Sequence, residues 1–538
     1  MTEKRVHDPI GAAAAFVHDH ERRFRPLYVE AASAAWDLAT TGLPEHAERR
    51  TAAEVEIGRM FADLGAYTRV NSFDRLLREH PEVDPLLRRQ IHLLRLAYLE
   101  GQIDDTTLAE RVALETEIES AFNHHRGRLR GEAVDDNELR RVLIEEDDVA
   151  LRRDAWLASK EVGAKVAEDV LRLVRIRNAA ARRLGFRDHR ALALAVGEID
   201  EAWLDRFLSE LDERTREPYR AMKRQLDASL AKRFGVSEGS LAPWHYLDPF
   251  FQEPPVFESA RLDPDFRGVD LVAASIATFR AIGLPVDDAL KGSDLEPRPG
   301  KSQHAFCIQI DRERDVRVLA NVEPVAYWAG TMLHELGHAA YDLYIDPALP
   351  FMLRCPAHPL TTEAVALLMG RLLYDPAWLE SDAGFEAARA AELEGPLRET
   401  RHAARLVFAR WCLTVIDFER ALYADPDGDL AARWWDGVER FQEVCRPEGR
   451  QAPDWASKIH LATNPIYYQN YLIGETLALQ LAQTIHARTG RGVLANPGAG
   501  HFLLHQVFRP GASVPWDELV RRATGRALDP DVYLSDYY

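Results

Sequence analysis

The stretch TMLHELGHAAYDLY, residues 331–344, decides how the rest of the chain is interpreted. It contains His334-Glu335-Leu336-Gly337-His338, and its apolar spacing predicts a helix. Residues four apart on a helix share one face, so both imidazoles can bind one Zn²⁺ ion. Glu335 lies beside them, where a carboxylate can act as general base on a water at the metal. The alternative is a chance pattern on an ordinary helix.

A zinc site that catalyses hydrolysis needs a third protein ligand and an open fourth position. Glu363 is the candidate, in the downstream stretch HPLTTEAVALLMGRLL, residues 358–373. The apolar residues after it predict a second helix that starts close to it: Val365, Leu368, Met369 and Leu372. The alternative is that Glu363 only stabilises the N-terminus of that helix, which Thr361 or Thr362 would cap.

The rest of the chain is dominated by helical patterns. The length of 538 residues would allow about three or four domains, yet no Gly/Ser-rich or Pro-rich linker divides the chain. Strand-like runs are few; HAFCIQI (304–310) and VRVLA (316–320) predict a hairpin just before the zinc helix. We therefore predict a mostly α protein, a single unit with an N-terminal helical or lid part, 1–240, and a zinc-binding part, 241–538.

Charge and composition exclude several classes of protein. The net charge is −19, which disfavours nucleic acid as a partner because phosphate binding needs a basic surface. No segment reaches the ~18–20 apolar residues of a membrane span, and the N-terminus lacks the apolar core of a signal peptide. The cysteines show no CxxC spacing, which predicts free, mostly buried thiols in a cytoplasmic protein: Cys307, Cys355, Cys412 and Cys445.

A third cluster lies in SKIHLATNPIYYQNYLIGETLALQL, residues 457–481. Tyr468 and Tyr471 are three apart, so they share a face if a helix begins here. Amide hydrolysis needs donors that stabilise the oxyanion, and His460 with these tyrosines offers them. The alternative is that the aromatic residues belong only to the core.

Together these motifs resemble the angiotensin-converting-enzyme family of zinc peptidyl-dipeptidases, within the wider group that includes thimet-type oligopeptidases. HELGHAAY followed by TTEA is similar to the family's zinc helix and third-ligand helix. The resemblance implies one Zn²⁺ per chain held by His334, His338 and Glu363, with Glu335 as base and proton shuttle. HAFCIQ resembles the strand that holds the substrate backbone, which implies His304 and Ala305 in that role.

Two further motifs carry the resemblance into the substrate site. KIH…YYQNY implies His460 and Tyr471 as oxyanion donors, and DPFFQE, residues 248–253, resembles a stretch whose Gln binds the substrate's terminal carboxylate. The residues implied for that carboxylate are Gln252, Lys458 and Tyr468. RWWDGVERFQEV, residues 433–444, is similar to a signature of structural meaning, so Trp434 and Trp435 are expected to pack.

The chain also departs from the animal enzymes of the family. The spacing from His460 to Tyr468 is one residue longer, which leaves Tyr467 as an alternative to Tyr468. Asn470 stands where those enzymes carry a chloride-binding Arg, and Gln303 where they carry a disulfide Cys. Leu367 stands where an Asp supports a zinc ligand, so that support must come from elsewhere.

The resemblance implies an elongated helical bundle with a deep central channel, the zinc helix at its floor and the β-hairpin beside it. It implies a zinc metallopeptidase for short peptides that releases C-terminal dipeptides. An oligopeptidase, a hydrolase of a specialised amide metabolite, and a non-catalytic peptide- or metal-binding protein of the same fold stay open, and so does the oligomeric state.

Overall fold

The computed structural model describes residues 8–80, 82–253 and 261–535, except for the side chain at position 105. Over this part of the chain there are twenty α-helices and two small antiparallel sheets of two strands. The mostly α fold class predicted from the sequence is confirmed.

The helices follow one another closely along the chain. In order they are α1 Pro9–Thr41, α2 Pro44–Ala62, α3 Leu64–Glu79, α4 Pro85–Glu100, α5 Asp105–His124, α6 Asp136–Glu145, α7 Val149–Arg183, α8 His189–Val196, α9 Glu201–Phe234, α10 Leu271–Ala281, α11 Asp287–Leu290, α12 Ala326–Leu343, α13 Pro359–Gly370, α14 Pro376–Ser381, α15 Ala387–Ala424, α16 Leu430–Gly437, α17 His460–Thr463, α18 Tyr468–Thr489, α19 Pro497–Leu503 and α20 Trp516–Thr524. The strands are β1 Gly127–Leu129, β2 Glu132–Val134, β3 Phe306–Gln309 and β4 Val316–Leu319.

The predicted hairpin before the zinc helix is present. β3 and β4 pair antiparallel, with Phe306 opposite Leu319 and Gln309 opposite Val316. Both strands pack against α12. The hairpin therefore brings the backbone of β3 next to α12, the helix that carries His334, Glu335 and His338.

The chain forms two compact units, each built from separate stretches of sequence. Unit 1 comprises Met1–Gln102, Arg261–Glu394 and Ile473–Tyr538, and unit 2 comprises Ile103–Ala260 and Gly395–Leu472. The predicted division between 1–240 and 241–538 stays a prediction, as do the elongated form and the central channel.

Unit 1 places the helices α12 and α13 in close contact. Gly337 makes this approach possible, because a Cβ at that position would lie 2.8 Å from the Cα of Ala366. The glycine inside the His-Glu-Leu-Gly-His stretch thus lets the helix that carries Glu363 approach the helix that carries both histidines. A second part of unit 1 packs α1, α3 and α4 around buried aromatic residues such as Phe24 and Tyr98.

Unit 2 is organised around α7, which packs against α5, α6 and α8. Trp434 and Trp435 of α16 are 2% and 3% exposed, which confirms that they pack. Trp435 lies against Trp156 of α7, with ring centroids 6.3 Å apart. Lys160, one turn after Trp156, is also buried, and its Nζ lies 3.2 Å from the centroid of the Phe250 ring.

All four cysteines are free thiols. Cys412 is buried, Cys307 and Cys355 are half-buried and Cys445 is exposed, so the thiols are less buried than predicted. None of the helices in the described ranges combines the length and the apolar character that crossing a membrane requires.

Candidate metal centre and substrate groups

The three predicted metal ligands lie together in unit 1. The Nε2 of His334 is 3.8 Å from one carboxylate oxygen of Glu363, and the Nε2 of His338 is 3.7 Å from the other. Ligand atoms from the three residues all lie within 4.8 Å of one another. Tetrahedral zinc with bonds of about 2.0–2.2 Å separates its ligand atoms by roughly 3.4 Å, so the donor set and its spacing fit this metal.

Burial shifts the pKa values of these side chains in the directions that favour binding of a cation. It lowers the pKa of His334 to about 4, and burial together with the charge of His334 lowers the pKa of His338 to about 3. Both imidazoles are therefore neutral and have a lone pair to offer. Burial also raises the pKa of Glu363 to about 7, because a carboxylate without a nearby cation is costly away from water. A metal ion would remove that cost.

Glu335 lies beside the ligands and is 8% exposed. Burial, and then the charge of Glu363, raise the pKa of its carboxyl to about 8, while a hydrogen bond from the backbone N–H of Cys307 opposes the rise. A carboxylate with a raised pKa binds a proton more firmly, which suits a general base. The hairpin thus contributes directly, since Cys307 belongs to β3.

The sequence analysis considered Thr362 only as a helix cap, whereas the structure places it against His338, a candidate metal ligand. Its Oγ1 lies 2.7 Å from the Nδ1 of His338. When Nδ1–H donates to this hydroxyl, the ring is fixed and Nε2 keeps its lone pair toward Glu363. Thr362 therefore provides the support that Leu367, a residue without a polar group, does not provide.

The start of α13 differs from the expectation. The helix begins at Pro359, and its capping residue is His358, whose Nδ1 accepts the N–H of Leu360. Thr361 instead donates to the carbonyl of His358, and Thr362 faces His338. Glu363 consequently lies in the second turn of α13, beyond the first turn where a carboxylate stabilises a helix N-terminus most strongly, and close to the two histidines.

A pocket of about 470 Å³ in unit 1 opens onto these groups. His304 and Ala305, which precede β3, line it together with His334 and Glu335. The structure therefore places the two residues predicted to hold substrate backbone in one pocket with a candidate metal ligand and the candidate base. Arg371, also in the lining, forms an ion pair with Glu475.

The groups predicted to bind a terminal carboxylate lie in unit 2. The Nζ of Lys458 donates to the Oε1 of Gln252 at 2.8 Å. Asp248 holds the loop of Gln252, because its carboxylate accepts the backbone N–H groups of Phe250, Gln252 and Glu253 at 2.9–3.2 Å. Phe251 within this loop has a φ of 50°, a left-handed conformation that these bonds help to impose.

Lys458 is a partly buried cation whose hydrogen-bond partner is neutral. Within the described residues no carboxylate lies within 4 Å of its Nζ, which instead lies 5.4 Å from the ring centroid of Phe250 and 5.2 Å from that of Trp411. Burial lowers the pKa of Lys458 to about 8, and the nearby charge of Asp248 opposes the shift. An incoming carboxylate would find an ammonium that has no ion-pair partner among the residues that the structure describes.

The candidate oxyanion donors also lie in unit 2, where α17 starts at His460 and α18 at Tyr468, so a helix does begin at the first of the two tyrosines. The ring of Tyr468 lies 5.7 Å from that of His460 and 5.4 Å from that of Tyr471. The buried Nδ1 of His460 has no hydrogen-bond partner among the described residues. Burial lowers the pKa of His460 to about 4, so its imidazole is neutral.

The predicted site residues thus form two groups, one in each unit. Those in unit 1 are His304, Ala305, His334, Glu335, His338 and Glu363, and those in unit 2 are Gln252, Lys458, His460, Tyr468 and Tyr471. Tyr468 is 4% exposed and contacts Trp411 as well as His460, whereas Tyr467 is only half-buried.

Comparison with known proteins relates the N-terminal part of the chain to one family. The sequence model of the Peptidase_M2 family, described as angiotensin-converting enzyme, matches residues 9–235. This match confirms the resemblance to the angiotensin-converting-enzyme family of peptidases. It lies entirely before the site residues, so it is independent of the motifs between 248 and 471 that carry the resemblance in the rest of the chain. A search of curated proteins gives no match.

Proposed function

We propose that this protein is a zinc peptidase that cleaves short peptides and releases dipeptides from their C-termini. The family match supports a zinc metallopeptidase in general. The observation that carries the finer proposal is Lys458, a partly buried ammonium that is bonded to the amide of Gln252 and has no acidic partner among the described residues. A free C-terminal carboxylate is the ligand that completes such a site.

The metal ligands are His334, His338 and Glu363, and their spacing and protonation support this assignment. Zinc, when bound, supplies a Lewis acid that polarises the scissile carbonyl and acidifies the attacking water. Glu335 takes the proton of that water and passes it to the leaving amine. The raised pKa of Glu335 helps it to hold the proton between the two steps.

The remaining residues position the peptide and its developing charge. His304 and the backbone of Ala305 hold the substrate backbone beside Glu335. His460 and Tyr471 donate hydrogen bonds to the oxyanion. The Nδ1 of His460 has no hydrogen-bond partner among the described residues, which supports this role. Lys458, Gln252 and Tyr468 bind the terminal carboxylate.

The test compares one peptide with a free C-terminus and the same peptide amidated. We expect kcat/KM to fall at least tenfold on amidation, because the amide leaves the ammonium of Lys458 unpaired. Lys458→Ala should abolish most of that difference. Lys165→Ala, at an exposed lysine in the same unit, is the matched control and should keep it. Mass spectrometry of the products identifies the bond that is cut.

Each of the other outcomes would indicate a different function for this protein. Equal cleavage of acid and amide at internal bonds would indicate an oligopeptidase, and the carboxylate roles of Gln252, Lys458 and Tyr468 would be rejected. Turnover of one amide metabolite but of no generic peptide would indicate a specialised hydrolase. Bound zinc without turnover of any peptide in a library would indicate a binding protein.

The proposal also includes a cytoplasmic location and no nucleic-acid partner. The four free cysteines and the net charge of −19 support these two parts.

A further inference from the structure

The loop between α17 and α18 contains a backbone conformation that its residue disfavours. Ile466 has a φ of 55°, in the left-handed region where a β-branched side chain crowds its own backbone. The loop links His460, at the start of α17, to Tyr471, in the first turn of α18. A residue other than glycine keeps such a conformation only where its surroundings impose it.

Glu419 of α15 supplies that constraint. Its Oε1 accepts the N–H of Ile466 at 2.8 Å, and the side chain of Gln469 donates to the Ile466 carbonyl at 2.5 Å. Glu419 and Ile466 are 2% and 7% exposed, so the bond between them is shielded from water. Both polar backbone groups of Ile466 are thus held by side chains.

The other end of the loop is fixed separately. The guanidinium of Arg177 donates to the carbonyl of Ala462 in α17 at 2.5 Å. Arg177 therefore anchors the helix of His460, while Glu419 anchors the residue just before the tyrosines. The geometry of the loop at 464–467 then sets how His460 and Tyr471 are oriented relative to each other, with the ring of Tyr468 in contact with both.

Packing alone does not explain a carboxyl at position 419. Its second oxygen, Oε2, is buried without a hydrogen-bond partner in the part of the chain that is described. Burial raises the pKa of Glu419 to about 8, and the Ile466 N–H opposes this shift. Burying a carboxyl with a single bond is costly, and an apolar side chain would fill the same space without that cost. What the carboxyl provides is an acceptor for the Ile466 N–H.

We propose that Glu419 is a positioning residue: it holds Ile466, and with it the loop at 464–467, so that His460 and Tyr471 act on one reacting centre. This inference rests on the function proposed above, in which those two side chains stabilise the oxyanion. Glu419 touches neither substrate nor metal, so it acts only through the loop.

Two variants of the full chain distinguish the role of Glu419 as a hydrogen-bond acceptor from any role of its charge. Glu419→Gln keeps an oxygen that can accept the Ile466 N–H, and it should keep kcat within about threefold of the parent. Glu419→Leu removes the acceptor and should lower kcat at least tenfold with little change in KM or zinc content. Asp74→Leu removes an equally buried acid from unit 1 and is the control for a loss of stability alone; its kcat should not change.

A double-mutant cycle with Tyr471→Phe tests whether Glu419 acts through the donors. If it does, Glu419→Leu should cost the Tyr471→Phe variant much less than it costs the parent protein. Independent, multiplying losses would overturn the inference, and so would a folded Glu419→Leu variant with unchanged kcat. If Glu419→Leu does not fold, the same comparison is made in Ile466→Gly, where glycine tolerates the positive φ.

Hydrogen exchange distinguishes a failure of this inference from a failure of the proposed function. The amide of Ile466 should exchange faster in Glu419→Leu than in Glu419→Gln, whether or not any peptide is cleaved. Equal exchange in the two variants overturns the positioning role. Absence of turnover in the parent protein refutes the proposed function, while the exchange result still decides whether Glu419 holds the loop.

Discussion

At the scale of single residues, hydrogen bonds from neighbouring groups orient the side chains of the candidate metal centre. His338 keeps its Nε2 toward Glu363 because its Nδ1 lies 2.7 Å from the hydroxyl of Thr362. Glu335 is held toward β3 by the N–H of Cys307. Each of these bonds fixes a ring or a carboxylate before any metal or substrate arrives, which lowers the cost of assembling the site.

Thr362→Val should therefore weaken zinc binding. Valine has the shape of threonine but cannot accept the Nδ1–H of His338, and loss of such a partner lowers metal affinity by about 10–100-fold. Titration of the apo-protein against a chelator of known zinc affinity measures the change. Thr362→Ser keeps the hydroxyl and should bind zinc as the parent does; equal affinity of the valine variant would show that the hydroxyl has no role.

Glu335→Gln should keep zinc and lose turnover. Glutamine has nearly the same size but cannot accept the water proton, and a general base typically contributes about 10²–10⁴-fold to the rate. Metal analysis and kcat on the same preparation decide. Loss of zinc in this variant, with zinc retained in His338→Ala, would contradict the assignment of ligands and base.

At the scale of helices and loops, close approach and capping bring the chemical groups into place. α12 and α13 meet at Gly337, where α13 leaves no room for a Cβ. The loop at 248–253 is held by the carboxylate of Asp248. These contacts bring residues that are distant in sequence to fixed positions.

Gly337→Ala should destabilise unit 1 and weaken its zinc binding. The added methyl would lie 2.8 Å from the Cα of Ala366, so the two helices must separate. Overpacking of this kind costs about 1–3 kcal/mol of unfolding free energy. Gly58→Ala in α2, where a Cβ meets no atom within 4 Å, is the matched control and should stabilise the helix by about 0.5–1 kcal/mol. Denaturant unfolding with and without zinc measures both.

Asp248→Ala should raise KM for free-acid peptides about tenfold and leave kcat within about threefold. The three backbone N–H groups of the loop lose their shared acceptor, so Gln252 is no longer held against Lys458. Asp270→Ala, which removes an ordinary helix cap in unit 1, should leave KM unchanged. If KM for amidated peptides rises equally, Asp248 does not act through the carboxylate site.

At the scale of the whole molecule, the sequence predicted what depends on short-range spacing. Helical periodicity located His334 and His338 on one face, and alternating apolar residues located the hairpin. It did not locate Thr362, Asp248 or Glu419, whose partners are a ring 24 residues away, a set of backbone amides and the N–H of a residue 47 positions away. The partners of Thr362 and Glu419 come from tertiary packing, which no local pattern encodes. Those of Asp248 are the nearby amides of residues 250–253, and the left-handed turn at Phe251 that brings them to one carboxylate is not apparent from residue type.

The unfolding free energy of the molecule should depend on pH because Lys160 is buried. Burial lowers the pKa of Lys160 to about 7 in the folded state, whereas the unfolded chain keeps a value near 10.4. Below about pH 7 the Lys160 side chain is charged in the folded protein, so the full free-energy cost of burying an ammonium lowers the stability. Between about pH 7 and 10 the unfolded chain binds more protons, so the contribution of this group to stability rises with pH.

Lys160→Met should therefore raise the unfolding free energy at pH 7 by about 1–3 kcal/mol, and the gain should shrink toward pH 10. Lys165→Met, at an exposed lysine, should show no such dependence. Urea unfolding at several pH values checks the prediction. A gain that grows with pH would contradict the direction of the pKa shift.

The division of unit 1 into three stretches has a consequence for the order of events during synthesis. Glu363 packs against Gly474, where a Cβ would lie 3.5 Å from the Cγ of Glu363, and Arg371 pairs with Glu475. A ribosome releases the zinc helix long before it releases these partners. We expect a nascent chain halted before residue 473 to hold zinc weakly, and the metal centre to mature only after translation has passed through α18.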